Sequence, residues 1–269
     1  MCHARIYYQN KLQEVFPVRK NTERFTHAVV EHYTKSRPSY PKELINYLME
    51  KGVINNNSII ADIGSGTGLF TQLLLETGAT VFAVEPSQAM RTAAEHDLKK
   101  YPHFTSVNTT AENTTLQDKS VDMVSAATAF HWFDYDACKK EFKRILKPSG
   151  SVLLLWNLRL PELSPITQGY EIILRKYCPQ YKGIPPQQIT EQKLVGFFDD
   201  AVDIIKLDNH QQFDLNGLIA RLRSTAYALT PEQNGYDAMM NDITTLFHQY
   251  SENGLVTFPH LMKAYLGKL

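Results

Sequence analysis

Asp62-Ile63-Gly64-Ser65-Gly66-Thr67-Gly68 decides the fold. It closes the short apolar run Ile59–Ile63 and opens onto a helix-like stretch, Leu69–Glu76. A glycine-rich turn between a buried strand and a helix is where an open α/β sheet receives a nucleotide-like ligand. Glycine there tolerates positive φ and lets a ligand approach the backbone, because no Cβ intrudes. The following helix offers free N–H groups to an anionic group. Three glycines could also make a tight turn and nothing more, so the surroundings of the loop decide.

Around the loop, short apolar runs alternate with longer amphipathic stretches. The runs are Ile59–Ile63, Val81–Val84, Phe104–Val107, Val121–Ala127 and Val152–Trp156. They lack two-residue alternation, as expected of parallel strands buried on both faces. Between them stand Leu69–Glu76, Gln88–Lys100 and Ala137–Leu146. The last carries Cys138, Phe142, Ile145 and Leu146 on one face and Lys139, Lys140, Lys143 and Arg144 on the other. Strand, helix and strand at this spacing predict a doubly wound α/β sheet with helices on both faces. Glu85 ends the second strand, where a carboxylate can accept both hydroxyl hydrogens of a ribose.

Upstream, a helix over Phe25–Tyr33 is halted by Arg37-Pro38-Ser39-Tyr40-Pro41, and Pro41 suits the start of the next helix, Lys42–Lys51. Downstream, Glu162–Phe198 is helical in composition, broken by Pro179, Gly183 and Pro185-Pro186. Strands are expected at Asp203–Asp214 and Val256–Leu266, with helices at Leu218–Tyr227 and Glu232–Tyr250.

Dinucleotide folds use G-x-G-x-x-G. Here the third glycine comes one residue early, Leu69 holds its usual place, and Asp62 stands two residues before the first glycine. This D-x-G-x-G-x-G, with Glu85 ending strand two, resembles the class I S-adenosylmethionine-dependent methyltransferases. Glu85-Pro86-Ser87-Gln88-Ala89-Met90 is similar to that family's ribose and adenine segment, and Ala111-Glu112 to its adenine contact after strand three. Ser120–Val124 resembles its entry to strand four, and Phe142–Gly150 its turn before strand five, with Ser149 replacing a glycine. Tyr33–Pro41 and Ala129-Phe130-His131-Trp132-Phe133 resemble the small-molecule branch typified by trans-aconitate methyltransferase, with a weaker echo at Arg223–Tyr227.

The resemblance implies one Rossmann-like domain over residues 1–269, with seven strands in the order 3-2-1-4-5-7-6. It also implies an N-terminal arm, 1–24, and a helical cap, 158–202, inserted between strands five and six over the acceptor pocket. S-adenosyl-L-methionine would be the cofactor. Its implied contacts are Tyr33, Arg37, Asp62, Gly64, Ser65, Gly66, Thr67, Gly68, Glu85, Pro86, Met90, Ala111, Glu112 and Ala127.

Methyl transfer from a sulfonium is an in-line displacement with a neutral leaving group. The protein must supply alignment, water exclusion and, for a hydroxyl or amine acceptor, a way to lose a proton. His131 follows strand four and is the candidate general base; otherwise it plugs the pocket with Trp132, which is placed on the acceptor side. Arg37 either pairs with the cofactor's carboxylate or is solvated, and Tyr40 either lines that end or packs under its helix. Asp62 holds the cofactor's amino group, caps the turn, or does both. Arg159, Arg221, Arg223 and Tyr227 can form an anion-recognition cluster, within which Arg221 reads as an exposed helix residue. Arg223 is either a solvated helix residue or, with Tyr227, the expected acceptor contact, and a small carboxylate methylated on oxygen is the expected substrate.

Two other functions compete. Tyr135-Asp136-Ala137-Cys138-Lys139 fits the Tyr-x-x-x-Lys pattern of NAD(P)-dependent short-chain oxidoreductases, but Leu69-Phe70 breaks the glycine pattern they need. A non-catalytic S-adenosylmethionine-binding protein would keep every binding segment. The 28 basic residues balance 28 acidic ones in a chain of 269, which disfavours nucleic acid or an acidic membrane surface as partner. Cys2, Cys138 and Cys178 show no paired spacing, so no disulfide framework or metal site is expected. Val152–Trp156 is far too short to span a bilayer, and residues 1–16 lack the apolar core of a secretion signal, so a cytoplasmic protein is expected.

Overall fold

The computed structural model describes residues 37–181, 183, 190–225 and 227–269. The arm 1–24, the helix expected at Phe25–Tyr33 and the candidate contact Tyr33 lie outside them, as does the Pro185-Pro186 break. Pro41 caps α1 (Lys42–Glu50), as its fixed φ favours. The chain then lays down β1 (Ile59–Ile63), α2 (Leu69–Leu75), β2 (Thr80–Val84), α3 (Gln88–Leu98), β3 (Phe104–Val107) and β4 (Val121–Ala127). Next come α4 (Tyr135–Ile145), β5 (Leu146–Leu158), α5 (Pro165–Tyr177), α6 (Glu191–Val195), β6 (Asp203–Phe213), α7 (Leu215–Arg223), α8 (Tyr236–Tyr250) and β7 (Val256–Gly267).

The seven strands form one sheet in the order β3-β2-β1-β4-β5-β7-β6, as the resemblance implies. β1 to β5 run parallel, and β7 is antiparallel to both β5 and β6. Parallel strands need both faces covered. On one face α1, α2 and α3 bury Leu44, Leu48, Phe70, Leu74, Ala94 and Leu98. On the other, α4 buries Cys138, Phe142 and Ile145, joined by Leu194, Phe197 and Phe198 from the α6 region.

Several boundaries differ from expectation, two of them for a plain local reason. Leu146 opens β5 instead of ending α4: it pairs with Val121, and the register slips across the Pro148 turn before Ser151 pairs with Met123. A proline can sit in a strand only at such an irregularity or at an edge. Asp214 ends β6 and caps α7 by accepting the Gly217 N–H at 2.7 Å, so that helix starts three residues before Leu218. α8 begins at Tyr236, past the expected Glu232.

A third cluster lies at the Phe213–Val256 end of the antiparallel β6–β7 pair. There α5 (Ile166, Tyr170, Leu174), α7 (Leu218, Leu222) and α8 (Met239, Ile243, Phe247) close over Phe213 and Phe258. This helical layer draws on the connections before and after β6. No helix among the described residues is long and apolar enough to cross a membrane.

Candidate cofactor and acceptor site

β1, β2 and β4 all end at one sheet edge, and the glycine loop turns over that edge. Gly64 and Ser65 donate their N–H groups to the Val84 carbonyl, at 2.8 and 3.2 Å, which ties the loop to the end of β2. Gly64 has φ +67°, and a Cβ there would stand 2.5 Å from the Ala129 Cβ, so the turn after β4 leaves no room for a side chain. Gly66 has φ +57° with open space where its Cβ would be. That opening is the cradle a ligand needs.

Glu85 stands across it. Its Oε2 accepts the Gly66 N–H at 3.1 Å and its Oε1 accepts the Ser87 N–H at 2.8 Å. Each oxygen keeps lone-pair capacity for a hydroxyl donor. Burial pushes the carboxyl above its ordinary pKa, while these two backbone donors pull it back. Thr67 is buried, and its hydroxyl has no hydrogen-bond partner among the described residues. A buried hydroxyl left unmatched beside an open cradle fits a site built for a polar ligand.

One pocket runs from this cradle in two directions. Toward β3 it is lined by Pro86, Met90, Ala111 and Glu112, with Met90 and Ala111 buried. That apolar slot suits a flat base. Glu112 Oε1 accepts the Asp134 N–H at 3.1 Å, which orients its carboxylate. Toward β5 the pocket passes Ala127, Thr128 and Ala129 and reaches Tyr40, Asn157, Arg37 and Arg221. Tyr40 and Thr128 share a hydroxyl–hydroxyl bond of 2.9 Å. Asn157 and Asn209 both donate to the Ser39 carbonyl, at 3.2 and 2.8 Å, and so hold the Arg37–Pro41 segment across the pocket.

Ser65, Gly64, Gly66, Thr67, Glu85, Pro86, Met90, Ala111, Glu112, Ala127 and Arg37 thus share one pocket, with Trp132 at its rim, 46% exposed. Gly68 caps α2 from the end of the loop. Other expectations need correction. Asp62 is fully buried outside the pocket lining, where it accepts from Thr71 at 2.6 Å and Ser125 at 2.8 Å. It ties β1 to β4 and α2. His131 is also absent from the lining. Its Nδ1 accepts the Trp156 indole N–H at 3.4 Å, and burial pushes its pKa down to about 4.

The arginines exchange places. Arg223 is exposed, whereas Arg221 is buried and lines the pocket. Two residues along a helix turn the side chain through about 200°, so the two cannot share a face. The signal for Arg221 was in the sequence: it falls at helical spacing with Leu218, Leu222 and Thr225, all buried. Tyr227 is half-buried and packs on Tyr181 with ring centroids 4.9 Å apart. It lies close enough to Arg159, Arg37 and Arg221 to feel their charge, though burial dominates and raises its pKa. Thr128, just after β4, and Asn157, inside β5, carried no sequence signal beyond those positions.

Comparison with known proteins gives the same answer. Residues 61–154 match the methyltransferase domain family. An uncharacterized methyltransferase of Mycobacterium tuberculosis is 36% identical over 152 residues, which is 56% of this chain and 60% of that relative. The chain thus spans about 60% of the length of that curated relative. A methyltransferase structure from Anaeromyxobacter dehalogenans superposes with TM-score 0.60 at 20% identity, covering 86% of this chain and 97% of that one. The Haemonchus contortus phosphoethanolamine N-methyltransferase 2, in complex with phosphomonomethylethanolamine and S-adenosylhomocysteine, gives TM-score 0.55 at 18% identity, over 95% of this chain and 61% of that one. Such identities establish a shared fold. Residues 61–154 match the methyltransferase domain family, and the chain has the seven-stranded fold shared with solved methyltransferase structures.

Proposed function

We propose that the protein transfers the methyl group of S-adenosyl-L-methionine to an oxygen of a small carboxylic acid. The observation that carries this reading is the continuity of one pocket from Glu85 to buried Arg221. The residues present fit the cofactor: an open cradle at Gly66, an unmatched hydroxyl on Thr67, an apolar slot at Met90 and Ala111, and an anchored carboxylate on Glu85. Glu85 would hold the ribose hydroxyls. Pro86, Met90, Ala111 and Glu112 would hold the base, while Gly64, Ser65, Gly66, Thr67 and Ala127 line the path between and Gly68 ends the loop at α2. Arg37 would take the α-carboxylate, and the resemblance assigns Tyr33 to the same end of the cofactor. Asp62 supports the loop from behind.

When bound, the cofactor supplies a methyl group on a sulfonium, whose departure as a thioether needs no acid. The chain's own residues align and exclude water. Arg221 offers a charged fork at the acceptor end of the pocket. Trp132 stands at the rim of that end and Arg221 reaches it from α7, which packs with α5 and α8; α5, from the 158–202 insertion, would help to cover it. A carboxylate acceptor is already deprotonated, so no base is required. That matches His131, whose only basic nitrogen is occupied by Trp156. The likeness of Ala129–Phe133 to the trans-aconitate methyltransferase branch supports the same acceptor class.

The test is formation of S-adenosylhomocysteine with a panel of small carboxylic acids, phenols and amines, with the product identified by mass. A methyl ester is the expected product. Turnover confined to amines or to a macromolecule would overturn the acceptor, and binding of NADH in preference to S-adenosylmethionine would overturn the reading altogether.

A further inference from the structure

The two outer strands of the sheet are unlike. β3 is four residues long, and a short edge offers little to another strand. β6 runs for eleven residues and pairs with β7 on one side. Its register is continuous from Asp203–Leu266 to Phe213–Val256, with no bulge, and it contains no proline. Short length, bulges and prolines are the usual means of keeping an edge unpaired, and β6 has none of them. Among the described residues no strand pairs with its outer edge.

Its side chains alternate between two faces. Ile205 and Leu207 are half-buried against the core side that α1, α2 and α3 cover. Ile204, Lys206, Asp208 and His210 are exposed on the other face, where Ile204 is a large apolar side chain left to solvent. Lys206 stands opposite Lys263 of β7, whose ammonium already pairs with Glu191. Asp208 stands opposite Leu261. Neither Lys206 nor Asp208 is in an ion pair among the described residues. A lysine on an edge strand ordinarily repels a second copy of that strand. Asp208, two residues along on the same face, turns that repulsion into a match.

We propose that β6 pairs edge to edge with β6 of a second copy of this chain, antiparallel about a two-fold axis through Leu207. In that register Lys206 of each copy stands directly opposite Asp208 of the other, so the symmetry makes two ion pairs on the solvent face. On the same face Ile204 packs on the partner's His210. On the other face Leu207 meets its own copy, and Ile205 meets the partner's Asn209. Neighbouring registers are worse. Centred on Lys206 or on Asp208, the strand sets that charge against itself, and like charges directly opposite are destabilising. Asn209 Oδ1 accepts the His210 N–H at 2.9 Å, so the ladder ends there and spans Ile205 to Asn209. A seam this short makes a weak, concentration-dependent dimer. It joins two seven-stranded sheets into one, and none of its residues lines the cofactor pocket, so each copy keeps its own site.

The experiment is sedimentation equilibrium on the full chain from about 1 to about 200 µM, the range in which a small interface associates. The mass should rise from that of one chain toward that of two. Lys206→Glu and Asp208→Lys each set like charges opposite at both pairs, and each should weaken the dimer about tenfold or more. Both side chains are exposed, so the thermal melts of these variants should match the wild type. An equimolar mixture of the two variants is the register's own signature. There the introduced glutamate faces the introduced lysine, and the native Asp208 of one copy faces the native Lys206 of the other. The mixture should dimerise within threefold of the wild type, as should the chain carrying both changes. A wild-type chain that stays monomeric at about 200 µM overturns the proposal, and that result needs no variant to fold. A dimer that either single change leaves intact, or that the mixture fails to restore, overturns the β6 seam.

Discussion

Glu85 accepts the N–H of Gly66 at 3.1 Å, so the carboxylate ending β2 and the loop ending β1 act as one unit. Removing the carboxylate would remove the proposed ribose acceptor and free the loop together. Hydrogen bonds to a charged group contribute about 1.5–3 kcal/mol, so Glu85→Ala should weaken S-adenosylmethionine binding about tenfold to a hundredfold. Glu85→Gln keeps one acceptor oxygen and should fall between. Titration calorimetry on variants with native melting behaviour reads this directly, and an unchanged affinity would take Glu85 out of the site.

Gly64 and Gly66 separate folding from binding. Both have positive φ, but only Gly64 faces a neighbour, with Ala129 at 2.5 Å from a would-be Cβ. Gly64→Ala should lower stability by roughly 1–3 kcal/mol, from the left-handed backbone and the clash together. Gly66→Ala bears only the backbone cost, about 1 kcal/mol, yet places a methyl in the cradle and should reduce cofactor affinity out of proportion. Urea midpoints and calorimetry on the two proteins should rank them in opposite orders. Identical rankings would show that the Gly66 opening is not a binding surface.

Asp62 should leave a signature in stability against pH. Burial raises its pKa from 3.8 to about 6, more than the Thr71 and Ser125 bonds lower it. A folded-state pKa above the unfolded one favours folding fully below about pH 4, and that contribution is lost as pH rises through 6. At about 1.4 kcal/mol per unit, roughly two units amount to about 3 kcal/mol. Asp62→Asn does not titrate. The stability of wild type relative to Asp62→Asn should therefore fall by about that amount between pH 4 and pH 7, read from urea unfolding at both values. A constant difference would mean that Asp62 ionises at its ordinary pH in the folded protein.

What could be read from the sequence follows the physics of each element. The parallel strands were legible because burial on both faces leaves runs of apolar residues, and the loop was legible because positive φ demands glycine. The acceptor end was less so. Arg223 and Arg221 differ only in which side of α7 they occupy, and charge argues for the solvent side in both. Arg221 breaks that rule because several elements distant in sequence converge there: Arg37 before α1, Arg159 after β5 and α7 itself. Asp62 sits in a motif shared with cofactor-binding loops, yet its partners Thr71 and Ser125 come from α2 and β4, and only the fold brings them together.

The arrangement of His131 makes the last prediction. Its Nδ1 accepts from the Trp156 indole at 3.4 Å, which leaves the hydrogen of the neutral ring on Nε2. Burial holds its pKa near 4, so the ring stays neutral above about pH 5. A neutral imidazole whose lone pair already takes a hydrogen bond is a poor base. The rate of S-adenosylhomocysteine formation with a carboxylic acid should therefore be flat from pH 6 to pH 8, without a limb near 6.5. His131→Gln keeps a carbonyl oxygen for Trp156 and should retain that profile. His131→Ala leaves a buried indole N–H unmatched and should lower stability by about 1–3 kcal/mol. A limb near pH 6.5 in the wild type that vanishes in His131→Gln would restore His131 as the general base, and with it an acceptor that must lose a proton.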